Sequence, residues 1–402
     1  MNGPYRVIPG GVTAAKGFLA SAVNAGIKRL KKPDVSLVAS EGPATAAGVF
    51  TTNQVKAPPI LISEARLRGG AAQAILLNSG CANCMTGDAG MRDAVRLGHA
   101  VAGLLRLPDD RVLMASTGLI GSRLPMRKML RKMPELVASL RPEHHTAAAL
   151  GILTTDLRPK EFAMERVIAG RTIRVGGMAK GAGMIAPSMA TMLAVVTTDA
   201  RVAAPVLRRL LREITENTFN RMTVDGDMST NDCVLLLANG RSGVSAHPGS
   251  RALRELRGML HQALEHLAIE IVRDGEGSTR LMHVEVIGAR TDQEAQACAR
   301  HVACSSLVKT MLAGGDPNVG RIAAAAGASA ARFDPRRLDV FIEGHRLVSG
   351  GVVGRDALAA REWLRRPEVR VRIELHAGHG TGWMRTCDLT EEYVRINAHY
   401  AT

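Results

Sequence analysis

The chain has 402 residues, 46% hydrophobic, 22% charged and 3% aromatic, with a formal net charge of +15. That length and apolar content exclude a disordered chain and allow a large core, with two domains expected. The positive balance raises a nucleic-acid partner, but so few aromatics leave little to stack on bases and no zinc-finger or RNP-like pattern occurs, so none is expected; a positive field suits small acidic substrates instead.

The opening M-N-G-P-Y-R-V-I-P-G lacks the apolar core of a signal peptide. No apolar run approaches the ~18–20 residues of a membrane span, so a cytoplasmic location without a membrane partner is expected. Residues 14–30 read as irregular and lead to a basic group, Lys28, Arg29, Lys31 and Lys32. A short strand is predicted over 36–40. Val49 and Phe50 read as strand, ending in a polar turn at Thr51-Thr52-Asn53. A strand over 74–77 enters a loop rich in Gly and Asn that carries Cys81 and Cys84. This lone C-x-x-C lacks the second ligand pair of a structural zinc site, and the other four cysteines are scattered. His261 with His266, and His376 with His379, read as packed or surface histidines. No metal is expected.

Residues 89–106 have helical spacing. The next strand, R-V-L-M-A-S, ends in a turn at Thr117-Gly118. A hydroxyl and a backbone N–H at a tight turn are the donors an oxyanion hole requires, although many strand-ending turns show the same letters. Residues 126–140 form an amphipathic helix with Arg127, Lys128, Arg131 and Lys132 on its solvated face. Thr154, Thr155 and Asp156 follow, then a short strand over 172–175.

The stretch K-G-A-G-M-I-A-P-S-M-A-T-M-L-A-V-V-T-T-D-A spans residues 180–200. Small residues crowd the part before Thr191, and 192–196 reads as a buried strand. Gly181, Gly183 and Ala186 formally fit a dinucleotide fingerprint, but Pro187 stands where its helix should grow. A small residue followed by Thr at such a junction suits another chemistry. The Thr191 hydroxyl attacks the Ala190 carbonyl, the acyl group shifts from N to O, and hydrolysis frees a new N-terminus. The α-amine, with an ordinary pKa of roughly 7.7–8.0, then serves as base for its own hydroxyl. The plainer reading is a loop-to-strand junction with a hydrogen-bonded Thr.

A helix over 204–217 carries Arg208, Arg209 and Arg212 on its polar side. The polar loop after it holds Asp225, Asp227 and Asp232 but lacks the bidentate Glu of a calcium loop. A buried strand over 234–238 follows. A helix over 252–272 ends at V-R-D-G-E-G, where Glu276 on a glycine-flanked turn suits a substrate ammonium. L-M-H-V-E-V-I-G and V-R-V-R-I-E-L-H alternate as half-buried strands.

Several long motifs carry a resemblance. The segment around Thr191, G-V-F-T-T-N-Q-V, F-N-R-M-T-V-D-G-D and the closing D-L-T-E-E-Y-V-R-I-N are similar to those of the self-cleaving ornithine acetyltransferases, the bifunctional glutamate N-acetyltransferases of arginine biosynthesis. The likeness runs from Gly48 to Thr402. The chain departs from the family pattern at Cys81, Cys84, Met85, Ser306 and Val319, the last standing where a Trp is usual.

The resemblance implies an α/β fold: a helix–sheet–sheet–helix sandwich and a smaller α/β domain mainly after about residue 290. It implies an alpha chain of residues 1–190 and a beta chain of 191–402, cut between Ala190 and Thr191 and assembled as a heterotetramer of two of each. Thr191 is then the nucleophile in ping-pong transfer of acetyl from N2-acetylornithine to glutamate, with acetyl-CoA as a second donor in bifunctional members. Thr117 and Gly118 hold the oxyanion. Substrate binding falls to Thr154, Lys180, Thr191, Glu276, Asn397 and Thr402, and no cofactor is implied. Lys180 outside this context reads as a surface lysine. Val394 and Ile396 are expected to anchor the C-terminal tail in the core. A self-cleaving amidase or aminopeptidase on the same scaffold is the alternative reading, and a basic nucleic-acid-binding protein is the one from a different class.

Overall fold

The computed structural model describes residues 5–29, 31–186, 192–354 and 360–399. Ala190, Thr191 and Thr402 lie outside them.

Among the described residues the first sheet has nine strands: β1 (Arg6–Val7), β2 (Phe18–Val23), β3 (Val35–Phe50), β4 (Ala71–Asn78), β5 (Val112–Ser116), β6 (Lys160–Ile168), β7 (Arg171–Lys180), β8 (Leu193–Thr198) and β9 (Cys233–Ala238). Their order is β1-β6-β7-β8-β9-β3-β4-β5, with β2 also on β3. The long β3 joins two halves. Val35–Val23 and Val35–Asn78 pair its start with β2 and β4, whereas Thr45–Ala238 through Phe50–Cys233 pair its end with β9. A register shift between Ala39 and Ala44 marks the bend.

The two halves lie face to face. In β8 every residue is buried, and the period of two divides them. Leu193 and Val195 meet Phe18, Val38 and Ile75 of the other half. Ala194 and Val196 meet α5 (Ala204–Glu216) and α6 (Arg251–Arg273) through residues such as Leu207, Leu211, Leu260 and Leu264. On the far side, Leu37, Leu76 and Met114 pack on α2 (Gly87–Leu105) and α3 (Met126–Ala138) through Leu97, Val101, Met129 and Met133. The result is a helix–sheet–sheet–helix sandwich; α1 (Pro58–Arg66) packs on β5 and α2, and α4 (His145–Gly151) on β2 and β3. The exposed basic faces of α3 and α5 match the amphipathic reading.

A second sheet, six-stranded among the described residues, has the order β13-β12-β11-β14-β10-β15. Its strands are β10 (Leu281–Ala289), β11 (Asp339–Ile342), β12 (His345–Ser349), β13 (Val352–Val353), β14 (Glu368–Glu374) and β15 (Gly380–Cys387), accompanied by α7 (Asp292–Cys304), α8 (Ser306–Gly314), α9 (Gly320–Gly327) and α10 (Ala360–Leu364). Val284, Val286, Val302, Ile322, Val371 and Ile373 belong to a separate core. Val319, the residue in place of the usual Trp, sits in that core at 2% exposure, and Ser306 opens α8 where Pro is also favoured. The closing helix is α11 (Glu391–Ala398).

Two regions differ from expectation. The irregular opening over 14–30 contains β2, whose buried positions are supplied by small residues as well as large ones. Val394 is 62% exposed, so it does not anchor the tail; polar contacts described below take that part.

Candidate active site

A cavity of about 280 Å³ lies where β5, β7 and the loop before β9 end. Thr117, Gly118, Thr154, Lys180, Glu276 and Asn397 all line it. Five separate segments of the chain therefore meet at one place.

The turn after β5 is held by backbone pairing. Thr117 N–H donates to Asn78 O at 2.9 Å, and Cys81 bridges to both Thr117 and Leu119. Gly118 has φ +128°, and a Cβ there would come within 2.3 Å of the Gly80 carbonyl carbon, so the turn requires glycine. Asn231, 2% exposed, spans the wall, its Nδ2 donating to Ala82 O at 2.7 Å and Ser116 O at 2.9 Å. Thr51 of the F-T-T-N motif braces the same loop, its hydroxyl donating to Ser229 O at 2.7 Å. The thiol of Cys81 turns away to Ser122 O, and the Cys84 thiol reaches Val55 O. Both are buried, and all six cysteines are free.

Lys180 is not a surface residue: it is 2% exposed. Its Nζ donates to the Thr154 hydroxyl at 2.7 Å and lies 3.7 Å from Asp156. Asp156 is the centre of a buried charge cluster. Its Oδ1 accepts from Lys160 Nζ and from Gly181 N–H, each at 2.7 Å, and its Oδ2 from Thr154 N–H at 3.1 Å. Lys160 also reaches Asp274 at 2.5 Å. Burial alone would raise the Asp156 carboxyl, but Lys180, Lys160 and the Gly181 N–H outweigh it and hold it well below the usual carboxylate range. Burial pushes the Lys180 ammonium down, and Asp156 opposes the fall. Thr155 lines the cavity beside Thr154.

Glu276 enters at the end of α6, fixed by its N–H to Ala182 O at 2.9 Å. Its carboxylate occupies the space a Cβ on Gly183 would need, with Oε2 only 2.4 Å from that position. Asn397 Nδ2 donates to Glu276 Oε2 at 2.7 Å. The Thr390 hydroxyl donates to Gly277 O at 2.7 Å, and the Tyr393 hydroxyl to Asp225 at 3.2 Å. Asp225 in turn accepts from Met184 N–H at 2.5 Å and Ile185 N–H at 2.8 Å. These contacts make the D-L-T-E-E-Y-V-R-I-N motif a brace across the cavity mouth.

Asp156, Lys160, Asp225, Asn231 and Asp274 were not selected by sequence. The Asp156/Lys160 spacing of four was a signal, but burial decides whether such a pair matters. Among the described residues, one group of side chains is close enough to share a cation: Asp339, Glu374 and His376. The two ring nitrogens of His376 already face these carboxylates at 3.2 and 3.7 Å, and Arg346 stands 3.7 Å from Asp339.

Comparison with known proteins gives a consistent result. A family model described as the ArgJ family matches residues 19–402. The arginine biosynthesis bifunctional protein ArgJ of Symbiobacterium thermophilum is 47% identical over 98% of this chain and 99% of its own. Its counterpart in Synechococcus sp. is 44% identical over the full length of both. Among solved structures, ornithine acetyltransferase complexed with ornithine from Mycobacterium tuberculosis matches 46% of this chain and 98% of that chain, at 44% identity and a TM-score of 0.43.

Proposed function

The chain belongs to the ArgJ family, and from that premise we propose that the cavity transfers acetyl from N2-acetylornithine to glutamate through an ester on Thr191. The enzyme is an acetyltransferase of arginine biosynthesis. The observation that carries the site assignment is the convergence of Thr117, Gly118, Thr154, Lys180, Glu276 and Asn397 on one cavity.

The reaction begins with cleavage between Ala190 and Thr191, giving chains of 1–190 and 191–402. Pairing supports their staying together: β7 and β8 flank the cut and remain bonded from Val175–Thr198 to Lys180–Leu193. Two of each chain form the proposed heterotetramer.

In the transfer step, Thr191 Oγ1 attacks the acetyl carbonyl and its proton passes to the Thr191 α-amine. Thr117 and the Gly118 N–H stabilise the oxyanion. The carbon–nitrogen bond breaks, the amine returns the proton to the leaving nitrogen, and ornithine departs. Glutamate reverses these steps with its own amine as acceptor. Lys180, hydrogen-bonded to Thr154, suits the substrate carboxylate. Glu276, oriented by Asn397, suits the ornithine side-chain ammonium. Thr402 is assigned to substrate binding with them. Threonine and its amine supply nucleophile and base, so the scheme calls for no cofactor. The relatives are named bifunctional; the second activity proposed for this chain is acetylation of glutamate from acetyl-CoA. Among the described residues no helix is long and apolar enough to cross a membrane, and a cytoplasmic location is part of the proposal.

Intact mass and N-terminal sequencing test the scheme together with kinetics. Purified protein is expected as two fragments, one beginning T-M-L-A. Thr191→Ala is expected to stay a single chain and to lose acetylornithine-to-glutamate transfer. A fully active uncleaved wild type refutes the scheme, and acetate release that ignores glutamate would assign a hydrolase instead.

A further inference from the structure

Two basic groups far apart in the chain meet on one face beside the cavity. Asp34, fully buried, organises the loop between β2 and β3. Its Oδ1 accepts the Ala25 N–H at 2.7 Å, and its Oδ2 those of Ile27 at 2.7 Å and Lys28 at 3.2 Å. Asn24 Nδ2 donates to Lys32 O at 2.7 Å. The loop so fixed carries Lys28, Arg29, Lys31 and Lys32. α3 closes on it: Lys128 Nζ donates to Gly26 O at 3.3 Å, with Arg127 beside it in the first turn of the helix. Arg29, Lys31, Lys32, Arg127 and Lys128 are exposed. Among the described residues none of these six cations forms an ion pair. Asp34 is engaged by backbone N–H groups, Glu135 of α3 holds Lys132, and Arg123 ahead of α3 is paired with Asp93. Like charges gathered without an anion repel one another and attract an anionic partner.

The patch reaches the cavity by two routes. Lys28 Nζ donates to Leu153 O at 3.1 Å, the carbonyl just before Thr154, and Asp156 and Lys180 both act on its charge. A Cβ on Gly80 would come within 2.8 Å of Lys28 Cγ, and one on Gly118 within 2.3 Å of the Gly80 carbonyl carbon. The lysine stem, Gly80 and the oxyanion turn therefore pack one on the next. The second route is the chain itself. Leu119 and Ile120 line the cavity, Ile120 is 43% exposed and so stands at its opening, and α3 begins soon after, at Met126. From the cavity outward the order is a carbonyl-binding turn, an apolar step and a cluster of cations. We propose that Lys28, Arg29, Lys31, Lys32, Arg127 and Lys128 bind the phosphates of a coenzyme A thioester, whose arm crosses Leu119 and Ile120 and brings its acetyl group to Thr117 and Gly118. The inference rests on the reading of acetyl-CoA as a second donor.

The chemistry selects this class of ligand. Acetylornithine and glutamate carry no phosphate, and their recognition falls to groups inside the cavity. A free inorganic anion has no use for the apolar step. A nucleic acid finds nothing to stack on, because residues 24–34 and 119–132 contain no Phe, Tyr or Trp. A coenzyme A thioester has the matching order: a reactive carbonyl, a long arm of mixed polarity, then a diphosphate and a ribose phosphate on either side of one sugar. Separated anions suit cations spread over a loop and a helix better than a single phosphate cradle does. Arginine offers a planar fork to phosphate oxygens and lysine a point charge, and the patch holds both. Each contact is exposed, so each is weak and screened by salt, and affinity rests on their sum.

The test compares acetyl-CoA with S-acetylpantetheine, which keeps the thioester and most of the arm but lacks the nucleotide. Wild type is expected to acetylate glutamate from acetyl-CoA with a kcat/KM on the order of 10-fold or more above that from S-acetylpantetheine, and raising salt is expected to narrow the gap. Lys31→Gln, Lys32→Gln and Lys128→Gln combined in one chain are expected to lower kcat/KM for acetyl-CoA on the order of 10-fold, the sum of three exposed pairs. The same variant is expected to lose far less with S-acetylpantetheine or acetylornithine. Isothermal titration reads binding without turnover: coenzyme A is expected to bind wild type more tightly than the triple variant and more weakly as salt rises. Equal use of the two thioesters by wild type, or a preference within about twofold of wild type in the variant, overturns the inference alone. The wild-type comparison stands even if the variant does not fold. Inorganic phosphate that displaces coenzyme A at matching concentration marks a general anion surface and overturns it. So does single-stranded RNA that binds this face while the two thioesters turn over alike. A wild type that transfers acetyl from acetylornithine but from neither thioester overturns the premise, and the inference with it.

Discussion

Replacing Asp156 by Asn removes one charge from a cluster of two lysines and two aspartates. The side chains of Lys160, Asp156, Asp274 and Lys180 are each at most 3% exposed. The substitution leaves Lys160 with Asp274 and deprives Lys180 of its nearest anion. Breaking a buried pair from one side costs about 3–5 kcal/mol. With about 2.1 cal/mol/K of unfolding entropy per residue, a chain of 402 residues converts that into a Tm loss of roughly 4–6 °C. The pH dependence has a definite sign. The folded-state carboxyl lies below its unfolded value, so its stabilisation is present above the unfolded pKa of about 3.9 and is lost as pH falls toward the lower folded value. Scanning calorimetry from pH 7 to pH 3 is expected to show the full gap between wild type and Asp156→Asn at neutral pH, closing below about pH 4. Activity provides a second readout. Burial already lowers Lys180 and Asp156 opposes this, so without Asp156 the KM for acetylornithine is expected to start rising at a lower pH than in wild type. A Tm change under about 1 °C, or a gap that stays constant through pH 3, refutes the role given to the cluster.

Thr117→Ala is expected to cut kcat by on the order of 10²–10³ with cleavage intact, measured by steady-state transfer to glutamate; a near-normal kcat removes Thr117 from the oxyanion site. Asn397→Ala deletes the 2.7 Å bond to Glu276. A hydrogen bond to a charged group contributes about 1.5–3 kcal/mol, so kcat/KM for acetylornithine is expected to fall on the order of 10- to 100-fold with Tm little changed. An unaltered kcat/KM would place the C-terminal helix outside the site.

Much of the architecture was legible in the chain. The spacing of Leu256, Leu260, Leu264 and Leu267 gives one buried helix stripe, and these residues do form the face of α6 against β6 and β7. Strands with clear alternation, such as β10 and β14, were equally readable. β6 was not, because its burial does not follow a period of two, and β2 was hidden among small residues. The attachment of the tail was not legible, because it does not rest on the apolar pair the sequence offered. Val394 points to solvent, while Thr390, Tyr393 and Asn397 make the attachments.

The sequence by itself determined the local elements and, through its long motifs, the family and the six described residues that meet in the cavity. Those are properties of short segments, written in periodicity and residue type. Tertiary structure decided what surrounds each charge. Whether Lys180 is a solvated lysine or a buried one depends on segments far apart in the chain. Asp156 and Asp274 are 118 positions apart, yet Lys160 bridges them. Desolvation and Coulomb interaction depend on distance through space and on exclusion of water, and both are settled when β7, α6 and α11 close on one another.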